Sequence, residues 1–171
     1  TNSYLRLEKL LVKIFQVTKN IPDVKVIVKM HPTLGPGNEF VKNLIYKLNS
    51  NVKILQLESV LEVISSCDLM LNINTELFPS TVLYEGLIMK KPVINLTMTD
   101  EKYDFEFVKD NAVLSISNTD DLEASIKKIL FDDNFSSKLI KNGQQHLQRY
   151  FTNHFSASEN LANILLNFAN E

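Results

Sequence analysis

Apolar residues recur along this chain with two alternating periods. Over residues 3–18, Leu7, Leu10, Leu11, Ile14 and Thr18 fall at helical spacing, which predicts an amphipathic helix. Val24 to Met30 is a short β-branched run, ended by His31-Pro32, and reads as a buried strand. A punctuated loop follows at 31–37, His-Pro-Thr-Leu-Gly-Pro-Gly. Helix resumes near Glu39 to Leu48, with Phe40, Leu44, Ile45 and Leu48 on one face. Val52 to Leu55 reads as a second strand, Ser59 to Ser66 as a short helix, and Asp68 to Asn72 as a third strand. A loop with Pro79 leads to a helix from Ser80 or Thr81 to Lys90. Pro92 to Leu96 and Val113 to Ile116 complete the strands. Thr119 is the expected cap of a helix to about Phe131, with Asp120 and Asp121 in its first turn. Two more helices, near 135–149 and 156–169, close the chain.

Strands that alternate with helices of about ten residues imply βαβ units and a parallel sheet. Right-handed crossovers place helices on both faces. The expected fold is a single Rossmann-like α/β domain over residues 1–171, with a parallel sheet of about five strands. In such sheets ligands bind in the crevice outside the carboxyl ends of the strands. The segments 31–38, 73–81 and 97–105 leave strand ends there.

Composition narrows the class. At 171 residues, with 44% apolar and 22% charged, the chain is of ordinary globular make-up and the length of one domain. One cysteine, Cys67, excludes a disulfide framework and a cysteine-based zinc site, and His31, His146 and His154 lack metal-ligand spacing. No apolar run reaches the length of a membrane span, and Arg6, Glu8, Lys9 and Lys13 interrupt any signal-peptide pattern. The chain opens on Thr1, as expected of a domain taken from a longer protein. The net charge of −2 is unevenly spread: residues 1–60 carry nine Lys/Arg against four Asp/Glu, and residues 61–135 carry six against fourteen. Without a basic-aromatic stripe, a nucleic-acid partner is not expected. The basic first third suits a phosphate-bearing ligand or simply solvates helix faces.

Candidate chemistry gathers at the strand ends. Lys29 and His31 share one face of the first strand, and Pro32 stops that strand. A histidine there can hydrogen-bond a phosphate oxygen and a lysine adds charge, or the histidine stabilises its loop. Gly35-Pro36-Gly37 is either an anion-approaching backbone or a turn. Ser80 or Thr81 is a natural N-cap, and the free N–H groups of that first turn form an anion site. Glu85 lies one turn on, on the same face as Thr81, where a carboxylate can accept from ribose hydroxyls. Gly86 within the helix costs about 1 kcal/mol against alanine, which close approach of a ligand or a strand would explain. Asn72, Asn74, Thr75 and Glu76 form a polar strand end able to contact a base or sugar. Thr97, Thr99, Asp100, Glu101 and Lys102 form a polar loop, and Tyr103, Phe105 and Phe107 after it read as packing residues. Asp68 reads as a turn residue, and His146 and His154 have no carboxylate pattern nearby. The chain's four glycines make no G-x-G-x-x-G, and there is no P-loop, G-x-S-x-G or H-E-x-x-H. No Asp-x-Asp metal motif occurs either.

The order of these pieces carries a resemblance. Lys29-x-His31-Pro32, Val52-Lys53-Ile54-Leu55, Leu61 through Asp68-Leu69, Ser80-Thr81-x-x-x-Glu85-Gly86 and Lys91-Pro92-Val93-Ile94 follow one another at suggestive spacing. Together they resemble the C-terminal, nucleotide-binding half of GT-B-fold glycosyltransferases of the bacterial capsule and polysaccharide type. UDP-N-acetylglucosamine 2-epimerases and CDP-glycerol glycerophosphotransferases are related. The resemblance covers roughly residues 20–132. It implies that His31 approaches the donor phosphates, that Ser80 and Thr81 hold phosphate at a helix start, and that Glu85 binds ribose hydroxyls. Asp68 would be structural. Thr81-Val82 and Tyr84-Glu85 stand where the epimerases carry paired glycines and glutamates, and glycerophosphotransferases favour aspartate where Glu85 stands. Both departures favour a glycosyltransferase over those two readings, and a degenerate association module is the alternative from another class.

The resemblance further implies a cytoplasmic protein, membrane-peripheral through regions beyond this chain, and a second, N-terminal Rossmann-like domain carrying the acceptor site. The expected donor-binding set is Lys29, His31, Asn74, Ser80, Thr81 and Glu85, for a UDP- or CMP/CDP-linked sugar, with no metal or other cofactor and no assigned catalytic residue. This chain alone is then expected to bind nucleotide without efficient turnover.

Overall fold

The computed structural model describes residues 2–33, 35–49, 51–74, 80–97, 105–117, 119–151 and 156–169. Its elements follow the sequence reading closely. Helix α1 (Asn2–Lys19) is followed by β1 (Ile27–Lys29), α2 (Pro36–Leu48), β2 (Lys53–Leu55), α3 (Val60–Ser65) and β3 (Met70–Asn74). Then come α4 (Thr81–Ile88), β4 (Val93–Thr97), a four-residue α5 (Glu106–Lys109) and β5 (Leu114–Ile116). Helices α6 (Leu122–Phe131), α7 (Asp133–Tyr150) and α8 (Ala157–Ala169) end the chain.

Several boundaries differ: β1 is only Ile27–Lys29 where Val24–Met30 was expected, and three others shift as well. Helix α2 starts at Pro36 rather than near Glu39, because proline fits the first helical position, where no intrahelical N–H is needed. Gly35-Pro36-Gly37 is therefore a helix start, and a Cβ on Gly37 would meet the Tyr4 hydroxyl at 3.0 Å. Thr119 does not cap α6: residues Thr119–Asp121 form a 3-10 turn, and Asp121 stands at the N-cap. The third strand runs two residues later than expected, which leaves Asp68 exposed before it.

The five expected strands are present and parallel, but they form two small sheets rather than one. β1 pairs with β2, with Val28 opposite Ile54. β3, β4 and β5 form the second sheet in that order, with Asn72 opposite Asn95 and Asn95 opposite Ser115. Periodicity reports that a segment is a strand, and it carries no information on which neighbour that strand joins.

Helix α1 spans both sheets. Leu10, Ile14 and Val17 enter a core with Ile94, Leu96 and Ile116 of the three-stranded sheet and Leu122, Ile126 and Ile129 of α6. Leu11 and Phe15, on the adjoining stripe, enter a second core with Leu44, Ile45 and Val52, against which Val28 and Ile54 pack. The other face of the three-stranded sheet is covered by Leu83 and Leu87 of α4, Phe107 of α5 and Leu147 of α7. Phe107 is only 1% exposed and stacks on Phe105 at 5.0 Å, so packing is the role of both. Tyr103 lies outside the described residues. Among the described residues, no helix is long and apolar enough to cross a membrane.

Gly86 sets the height of α4 above the sheet. A Cβ there would meet Met70 Sδ at 2.5 Å and Val93 Cγ2 at 3.0 Å. A strand, not a ligand, is thus what requires glycine. The helix is then stopped sharply: Lys90 takes a left-handed conformation (φ 54°), Lys91 N donates to Gly86 O at 3.0 Å, and Pro92 follows. Gly86→Val should destabilise the fold by about 2 kcal/mol, since overpacking exceeds any gain in helix propensity. Urea denaturation of the variant against the parent checks this.

Candidate functional site

A cleft of about 1680 Å³ runs the length of the gap between β1 and β3, from Pro22 and Asp68 at one end to the carboxyl ends of both strands at the other. Lys29 and His31 line it from the β1 side, and Asn72, Asn74, Ser80 and Thr81 from the β3 and α4 side. Five of the six expected donor-binding residues therefore share one cavity. Glu85, the sixth, is not part of that wall. Thr75, Glu76 and the loop residues Thr99 to Tyr103 lie outside the described residues.

His31 is exposed, and its ring is held by its own loop. Thr33 N donates to His31 Nδ1 at 3.2 Å, and Asn38 Nδ2 donates to His31 O at 3.1 Å. An Nδ1 that accepts carries no proton, so the neutral ring carries its proton on Nε2. Asn38 Nδ2 and Gln56 Nε2 both donate to Thr33 O, which ties this loop to the end of β2. Neither bracing residue was legible as such, because a lone asparagine or glutamine seven or more residues away carries no signature. Lys29 Nζ donates to Met30 O and to Gln56 O, each at 2.8 Å. Two of its three N–H donors are thus committed to the strand ends, and one remains. Nearby, Gln56 N donates to Glu58 Oε2 at 2.8 Å, and the residue's own N–H, foremost among its backbone donors, holds the Glu58 carboxyl below the usual range.

The start of α4 supplies the second wall. Ser80 stands at the N-cap in extended conformation, and its hydroxyl makes no capping bond. Thr81 is exposed, and the first N–H groups of the helix have no intrahelical acceptor. An uncapped helix start at a cleft mouth offers N–H donors and the positive dipole end to an anion. One turn on, Glu85 is half-buried, and its Oε2 has no hydrogen-bond partner among the described residues. A buried carboxylate oxygen left unpaired is costly. Asn74 is 4% exposed at the end of β3. Behind it Asn72 Nδ2 donates to Asn95 Oδ1 at 2.8 Å, while Asn95 Nδ2 is unpaired among the described residues. Asn95, the first residue of an Asn-Leu-Thr triplet, is 1% exposed and so closed to glycan attachment in the folded chain.

Helix α7 braces α4 from outside. Gln144 Nε2 donates to Leu87 O, and a Cβ on Gly143 would meet Leu87 Cδ2 at 2.9 Å. His146, 2% exposed, stacks on Tyr84 at 6.2 Å and places Nδ1 2.8 Å from Asp110 Oδ2. Arg149 donates to the other Asp110 oxygen at 2.6 Å. No carboxylate pattern lies near His146 in the sequence, and its partner Asp110 is 36 residues away in the chain, a distance at which no local pattern exists. Burial raises the Tyr84 pKa.

No family model and no curated protein sequence matches the chain. Solved structures do. Anabaena Alr3699/HepE in complex with UDP and glucose superposes with a TM-score of 0.64 at 18% identity, over 90% of this chain and 44% of that one. The α/β fold is thus shared with that protein. The GtfA/B complex superposes with a TM-score of 0.57 at 16% identity, over 82% of this chain and 29% of that one. The chain thus spans less than half the length of either neighbour.

The brace has a measurable pH signature. The hydrogen bond from His146 is the foremost cause that holds the Asp110 carboxyl below its ordinary range, with Arg149 adding to it. A carboxylate whose folded pKa is depressed stabilises the fold above its unfolded value, and that contribution disappears as pH falls through the folded value. Asp110→Asn should therefore be less stable than the parent near neutral pH, with the gap closing on acidification below the ordinary carboxylate range. Denaturation midpoints of both proteins across that range check this.

Proposed function

We propose that this chain is the nucleotide-sugar-binding half of a glycosyltransferase in cell-surface polysaccharide synthesis, and that its donor site is the mouth of the cleft. The supporting observation is the convergence of His31, Asn74, Ser80 and Thr81 on one cavity at the strand ends, within a fold shared with a UDP-bound protein. The N–H groups at the start of α4 and the Nε2 of His31 take the donor phosphates. Lys29 adds positive charge with its remaining N–H, and the orphaned Glu85 carboxylate accepts from the ribose hydroxyls. Asn74 contacts the base or sugar.

In the reaction so read, the bond between the sugar anomeric carbon and the departing phosphate oxygen breaks as the acceptor oxygen bonds to that carbon. Negative charge that builds on the phosphate is met by fixed dipoles and His31, without a metal. The acceptor loses its proton to a base on a second, N-terminal Rossmann-like domain. The chain itself forms the C-terminal half in a cytoplasmic protein, with a UDP-, or CMP/CDP-linked, sugar as donor.

Calorimetric titration of the chain with UDP, CDP and GDP tests the donor site. Saturable binding of one base is expected. His31→Ala should weaken it by about two- to tenfold, the worth of one hydrogen bond, and Glu85→Ala by about ten- to a hundredfold, as for bonds to a charged acceptor. Absence of binding to any of the three at millimolar concentration would overturn the reading and leave the fold as an association module.

A further inference from the structure

Paired strands lie about 4.8 Å apart and leave no room for solvent between them. A cleft of about 1680 Å³ along the length of β1 and β3 therefore holds these two strands well beyond pairing distance. In β1, Met30 N donates to Leu55 O at 2.8 Å, so Val28 and Met30 turn their backbone groups toward β2, and Ile27 and Lys29 turn theirs into the cleft. In β3, Met70 N donates to Pro92 O at 3.0 Å, so Met70, Asn72 and Asn74 face β4, and Leu71 and Ile73 face the cleft. Ile14 and Phe15 of α1 and Ile129 of α6 line it on one side of the sheets, and Val63 and Ile64 of α3 and Val82 of α4 on the other. The cleft thus has two polar banks and two apolar faces. An extended backbone satisfies both at once: its amides bond to the banks, and its side chains alternate into the faces.

Helix α1 shows how such a segment is connected. Tyr4 packs edge-on against Phe40 at 5.2 Å and lies beside Gly37, at the start of α2, which follows the carboxyl end of β1. Helix α1 therefore begins at the carboxyl end of the sheets, runs back over both cores and turns after Lys19 toward β1. A helix so placed is the crossover of a right-handed β-α-β unit, in which the strand ahead of the helix lies parallel to the strand after it. One side of β1 is taken by β2, so the place left for that strand is the cleft.

We propose that the cleft between β1 and β3 is an acceptor groove for one inserted strand, an apolar segment of about five residues that leads into α1 in the same polypeptide. It runs parallel to both banks and bonds to Ile27 and Lys29 on one side and to Leu71 and Ile73 on the other, and β1 and β3 do not pair with each other. Because both of its faces are buried, its sequence is a continuous β-branched run and not an alternating one. Its carboxyl end arrives at the mouth between His31 and the Ser80–Thr81 start of α4, and it sets the spacing of those two walls.

Two N-terminal extensions of the 171-residue chain test this. One is Val-Ile-Val-Ile-Val joined to Thr1 through Gly-Ser-Gly, and the other is Lys-Glu-Lys-Glu-Lys on the same linker. The apolar extension should raise the urea midpoint by about 1 M or more and slow amide exchange at Ile27, Lys29, Leu71 and Ile73 by about tenfold or more, and the charged one should do neither. Leu71→Pro, which removes a groove-facing N–H, should cancel most of the gain and change the unextended chain little. Strong protection of the four edge amides in the unextended chain would mean that β1 and β3 pair directly, and would overturn the proposal. An apolar extension that changes neither midpoint nor exchange would overturn it too, as would a gain that Leu71→Pro leaves intact, because the extension then binds elsewhere.

Discussion

The close approach of α4 to the β3–β4 pair is the constraint on which the rest of the site depends. With no side chain at Gly86, the helix lies directly on Met70 and Val93. Leu83 and Leu87 then reach the buried core on the same face. That seating directs the helix N-terminus to the carboxyl end of the sheet, where Ser80 and Thr81 meet the cleft. A left-handed Lys90 and Pro92 turn the chain directly into β4, so the helix has no slack at its other end. From outside, Gly143 and Gln144 of α7 press on Leu87, and the His146–Asp110 pair locks the neighbouring turn through Tyr84. An anion site made of backbone N–H groups is only as well placed as the helix that carries it.

The opposite wall is built by different means. There the chain leaves β1 through His31-Pro32 into a loop held by side-chain amides. Asn38 and Gln56 fix the backbone, and Thr33 N fixes the imidazole. One wall is set by packing and the other by hydrogen bonds, and no described strand pairing connects them. What they share is α1, whose adjoining stripes enter both cores. The two walls are thus brought together by apolar packing, with no backbone pairing between them among the described residues.

Much of this was readable from residue order alone. The α1 stripe, the strand ended by Pro32, the helix start at Ser80-Thr81 and the placement of Glu85 one turn on are all local patterns, and local patterns survive folding. Gly86 was legible as an anomaly, since glycine within a helix needs a reason, and the structure supplies a neighbouring strand. What the sequence hid was long-range. Two parallel sheets in place of one, Asp110 beside His146, and Gln56 beneath Thr33 all depend on which segments meet. Gly35-Pro36-Gly37 misled because a turn signal and a helix start use the same residues, and the position of the proline decided for the helix.

A crystal structure of the chain grown with UDP tests the central claim most directly. The account predicts the diphosphate within hydrogen-bond distance of the first N–H groups of α4 and of His31 Nε2, with a ribose hydroxyl on Glu85. Nucleotide bound elsewhere on the molecule, or bound at the mouth with its base against α4 and its phosphates in solvent, would contradict it.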